Sequence, residues 1–101
     1  TMKDTITQFQ FCDWFQQNRP NNFTYEGSKA LFDYLEDLED SMGEEINFDP
    51  IALCCEYDEY NNLKECLVAY SNLNLKTIDD LRDHTTVIEV DNCDKIIIQA
   101  F

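Results

Sequence analysis

Residues 25–43, YEGSKALFDYLEDLEDSMG, separate apolar and acidic side chains with a helical period, and this constrains the rest of the chain more than any other stretch. At about 100° per residue, Leu31, Tyr34, Leu35, Leu38 and Met42 share one narrow stripe, while Glu26, Asp33, Glu36, Asp37 and Asp40 gather roughly opposite. A helix of this kind must lay its stripe on another element and leave its carboxylates to water or to a cation. Glu44 and Glu45 extend the charge: residues 26–45 hold eight acids and one base, Lys29, a local net charge of −7. The borders are marked, with Asn22 or Thr24 as N-cap, Glu26 in the first turn and Gly43 as a left-handed C-terminal cap.

The remaining chain must supply the packing partners. Residues 5–18 mix strand alternation in ITQFQF with helical spacing; the continuing Gln, Trp and Phe favour a helix capped by Asp4 or Thr5, with Phe9, Phe11, Trp14 and Phe15 as core candidates. Pro20 and two asparagines end it. Residues 46–57, INFDPIALCCEY, predict an extended entry and a strand buried on both faces, with Pro50 at its start. Asp58, Glu59 and Asn61 predict a polar turn, followed by a helix capped by Asn61 or Asn62 that runs to about residue 70 with Leu63, Leu67 and Tyr70 inward. Thr77-x-x-Asp80 predicts a capping box opening a short helix that ends near His84. TTVIEV and KIIIQAF, joined by DNCD, predict a hairpin packed beside the earlier strand. The fold class is therefore α+β: one small domain in the order α-α-β-α-α-β-β, with a three-stranded, mainly antiparallel sheet and a C-terminal hairpin packed by helices.

An apolar fraction of 44% with 13% aromatics distinguishes this chain from a disordered acidic segment. Twenty-one acids against seven bases, a net charge of −14, disfavour direct contact with nucleic acid or with an anionic membrane, both of which are held by Lys and Arg. The natural partner is a basic protein surface. TMKDTITQFQ lacks the pattern of a signal peptide, no apolar run approaches the roughly 20 residues of a membrane span, and a cytoplasmic location is expected; Thr1, ahead of Met2, is set aside as a tag residue.

Cys12, Cys54, Cys55, Cys66 and Cys93 show no CxxC spacing, and Cys54 and Cys55 would point to opposite faces of a strand and so could not share one ion; the five are expected as thiols without a metal, most of them small core residues. With Gly27 and Gly43 the only glycines, phosphate-cradling loops are absent. His84 could meet Cys93 or Cys66 in space, but no spacing selects that pair, and a position at a helix C-terminus explains it. The expectation is a non-enzyme without cofactor or metal.

The acidic face carries a cost. Asp33 with Asp37, Glu36 with Asp40, and Asp40 with Glu44 are like charges at i,i+4, each unfavourable by roughly 0.2–0.5 kcal/mol in an isolated helix. Glu39 and Asp40 also meet the negative end of the helix dipole. Carboxylates recurring about every 4.5–6 Å along a helix are spaced comparably with the phosphates of an extended strand. Solubility alone is the bland explanation for excess acid; the repeated penalties favour a binding face. Its candidate residues are Glu26, Asp33, Glu36, Asp37, Asp40, Glu44 and Glu45, with Glu56, Asp58 and Glu59 from the following segment.

The segments SKALFDYLEDLED, GEEINFDPIALCCEYDEY, IDDLRDHTTVIEV and IIIQAF resemble a family of small acidic proteins encoded by bacteriophages, prophages and plasmids, with IALCCEY the most specific part. The likeness covers most of the chain after Phe23. It implies an anti-defence protein of the anti-CRISPR or anti-restriction kind, acting in the host bacterial cell on a nucleic-acid-binding defence complex, and it assigns no residue roles. A general acidic adaptor that does not compete with nucleic acid is the alternative.

Overall fold

The computed structural model describes residues 6–91 and 93–101. Thr7, rather than Asp4 or Thr5, which lie outside the described residues, caps the first helix, α1 (Gln8–Asn18), in a reciprocal capping box with Gln10. Its Phe11, Cys12 and Phe15 are buried, whereas Phe9 is 69% exposed and is not a core residue. Phe9 sits in the first turn on the side away from that face.

The acidic helix α2 (Tyr25–Met42) starts at the N-cap Thr24, whose hydroxyl accepts from the Gly27 amide at 3.0 Å, and ends at Gly43 with φ 71°. Leu31, Phe32 and Leu35 are buried, with Tyr34 and Leu38 packed at their margin. Met42 is 52% exposed and drops out of the expected stripe. The helix packs chiefly on α1, where Phe11 meets Phe15 and Phe32 edge to face at 5.0 and 5.3 Å.

The expected strand over residues 51–57 is instead the helix α3 (Pro50–Glu56). Proline stands in its first turn, where no amide donor is missed, and the Asp49 carboxylate caps it by accepting from the Ala52 amide. Cys54 and Cys55 thus follow one another on a helix, half-buried and exposed respectively. The strand begins where a polar turn was expected, as β1 (Tyr57–Tyr60), so Asp58 and Glu59 are sheet residues. Next come α4 (Leu63–Ala69), capped by Asn62, a 3-10 turn at Ser71–Leu73, and α5 (Ile78–Arg82), opened by the Thr77–Asp80 capping box. In α4 the fully buried residue is Cys66, with Leu63 and Tyr70 at the margin.

The hairpin strands β2 (Val87–Glu89) and β3 (Ile96–Gln99) complete a three-stranded antiparallel sheet in the order β1-β3-β2. The central strand is the C-terminal one. Its three isoleucines are buried because both faces are covered: Ile97 joins the core of α1 and α2, while Ile96 and Ile98 pack with Cys66 of α4 and Leu81 of α5. The fold is α+β, as expected, with one helix more than the expected order. No helix among the described residues is long and apolar enough to cross a membrane.

Candidate acidic interface

On α2, Glu26, Asp33, Asp37 and Asp40 are exposed and Glu36 half-exposed; Glu44 and Glu45, just beyond Gly43, are exposed as well. Their helical spacing and the burial of Leu31 and Leu35 place the α2 set on the outward side of a helix whose inner side is fixed by the aromatic core. The Asp33 carboxylate accepts a bond from the Gln8 amide side chain at 2.9 Å. Among the described residues, the ion pair lies elsewhere, between Arg82 and Glu89 at 3.0 Å, and no Lys or Arg forms an ion pair with Asp33, Asp37, Asp40, Glu44 or Glu45.

The turn between β2 and β3 adds a second wall. Asp91, Cys93 and Lys95 face Glu26, Lys29, Ala30 and Asp33 across a cleft of about 530 Å³. Partial burial there, followed by the charges of Asp37 and Asp91, holds the Asp33 carboxyl above the usual aspartate range. Asp91 is thus a member of the acidic face that linear spacing along α2 has no means of revealing, because a tertiary contact brings it there.

The three other expected members lie on other elements. Glu56 ends α3 and is exposed. Asp58 pairs across from Ile98, the face of the sheet that packs on α4, and its charge raises the pKa of the buried Cys66 thiol, so it is turned away from the α2 stripe. Burial is the larger cause of that shift, which brings Cys66 to about 11. Glu59 projects from the opposite face of β1 onto the start of α2, where its carboxylate accepts from the Thr24 amide at 3.0 Å and from the Thr24 hydroxyl at 3.2 Å. Its charge complements the positive end of that helix.

Glu39 also departs from its expected cost. It is 5% exposed, and its carboxylate accepts the Ile46 amide at 2.5 Å, so it ties the segment after the helix back to the helix. Burial opposes its ionisation, but the hydrogen bonds it accepts, that of Ile46 among them, outweigh burial and leave its pKa below the usual glutamate range. Among the described residues, no group of three or more His, Cys, Asp or Glu side chains is placed to hold a metal ion. His84 directs Nδ1 to the Asp80 carbonyl at 3.0 Å and lies beside the Phe101 ring. No family model, curated protein or solved structure matches the chain.

Proposed function

We propose that this protein is a non-catalytic inhibitor that docks the carboxylates of α2 on the basic, nucleic-acid-binding groove of another protein. The observation that carries the reading is the run of exposed Asp33, Asp37 and Asp40, continued by Glu44 and Glu45. It stands on a helix fixed by its other side, and no Lys or Arg among the described residues forms an ion pair with it. Such a face keeps its charge for a partner: each arginine or lysine it meets leaves water together with a carboxylate already held in place. Acidic spacing along the helix suits a groove built for phosphates.

The resemblance to small acidic proteins of mobile elements narrows the partner to a host defence complex, a CRISPR effector or a restriction enzyme, met in the bacterial cytoplasm. Inhibition then follows from occupancy, since a groove filled by α2 has no room for its nucleic acid. The test is capture of partners from host lysate at low and high salt, followed by addition of DNA or RNA to the bound complex. The proposal expects a partner that is held at low salt, weakened at high salt and released by nucleic acid. A partner retained at saturating nucleic acid would sink the competitive mechanism.

A further inference from the structure

A second surface has the opposite character. Between α4 and the returning segment 71–76 lies a groove of about 490 Å³, lined by Leu63, Leu67, Val68 and Leu75 and flanked by Lys64 and Lys76. No carboxylate lines it, although acids outnumber bases by 21 to 7 in the chain. Neither lysine forms an ion pair with a described residue. Val68 is 66% exposed, and Leu73 beside the groove is also exposed. The wall opposite α4 is shaped by Asn74, at φ 60° the one non-glycine residue in the left-handed region among those described. Asparagine tolerates that conformation better than most residues, so the chain turns back beside α4 there instead of continuing away.

We propose that this groove binds a short acidic, amphipathic helical segment of a protein partner, whose apolar side chains enter between Leu67, Val68 and Leu75 while its carboxylates meet Lys64 and Lys76. Charge complementarity selects that occupant. A basic segment would leave both lysines facing like charge and would be drawn instead to α2, and two lysines are too few to hold a nucleic-acid backbone on a chain of net charge −14. The seven residues of α4 span roughly 10 Å, enough for about two turns of a docked helix. The site is independent of the acidic face of α2.

The test is a titration of the isotope-labelled full chain, followed by amide NMR shifts, with three peptides of about 15 residues, a length at which isolated helices begin to persist. One carries leucines at i, i+3 and i+7 on a glutamate background. The second has the same leucines on lysine, and the third has serine for leucine on glutamate. The proposal expects the first peptide alone to shift the amides of residues 63–76. It also expects that binding to weaken by about tenfold or more in Lys64→Glu/Lys76→Glu and in Val68→Ser. All three positions are exposed, so the variants should keep the parent's fold, which circular dichroism checks. The proposal is overturned if the glutamate–leucine peptide leaves residues 63–76 unmoved, if the lysine peptide shifts them as strongly, or if the charge reversal leaves binding unchanged. Shifts at 63–76 that grow with protein concentration and no peptide would also overturn it, by making a second copy the occupant.

Discussion

Glu59 and Gly27 show how much of the acidic inventory is structural. A Cβ on Gly27 would stand 1.7 Å from the Glu59 carboxylate oxygen that holds Thr24, so the glycine is there for close approach. Gly27→Ala should therefore destabilise the protein by about 1 kcal/mol by displacing that carboxylate, despite the better helix propensity of alanine. In a Glu59→Ala background the same substitution should cost less, the remaining tight neighbour being the Thr24 hydroxyl at 3.1 Å, and urea unfolding of the four proteins reads this coupling. Glu39 gives a pH signature. Its pKa is depressed in the folded state, so its contribution is fully present above the usual glutamate pKa and is lost as the pH falls through the lower folded value. The stability gap between the parent and Glu39→Gln should accordingly be widest at neutral pH and narrow on acidification, as denaturation at a series of pH values would show. Neither role is legible in the sequence, because both depend on a partner, Thr24 or Ile46, that only the fold brings alongside.

At the scale of elements, what could be read was whatever is local. Caps at Thr24, Asn62 and Thr77, the glycine at the end of α2 and the C-terminal hairpin are written in short spacings and were found as expected. The failure was at residues 50–56, where PIALCCE offers apolar side chains in either period; seven residues are too few for periodicity to separate a buried strand from a helix. Asp49 followed by Pro50 carried the missed signal, an N-cap and a first-turn proline. Asp49→Ala should cost about 1 kcal/mol through loss of that cap, measurable by thermal or chemical unfolding. For α2 the prediction has the other sign. Replacing Asp33, Glu36, Asp37 and Asp40 together by Asn and Gln removes repeated i,i+4 repulsions and should raise stability by up to about 1 kcal/mol at low salt, with a smaller gain at high salt. A fall in stability at low salt would show that these carboxylates support the fold.

At the scale of the whole molecule, β3 joins two cores, and this explains three consecutive buried isoleucines. Ile97→Ala should cost roughly 2–5 kcal/mol, more than loss of the Asp49 cap or the clash at Gly27, and chemical unfolding would measure the difference. The presence of a sheet packed by helices was legible from apolar runs and turn residues; the order β1-β3-β2 and the addition of Asp91 to the acidic face were not, since both are set by long-range pairing. The same architecture packs one side of α2 on α1 and leaves Asp33, Asp37 and Asp40 exposed on the other, the side proposed to dock. Displacement of nucleic acid by this outer side is tested most directly by fluorescence anisotropy. Labelled target DNA is bound to a purified CRISPR effector or restriction complex captured with the protein, and parent or folded quadruple variant is then added. The parent is expected to release the DNA with a potency that falls as salt rises, and the variant to do so at least about tenfold less well. Equal release by the variant, or binding that leaves the DNA in place, would contradict a competitive role for α2.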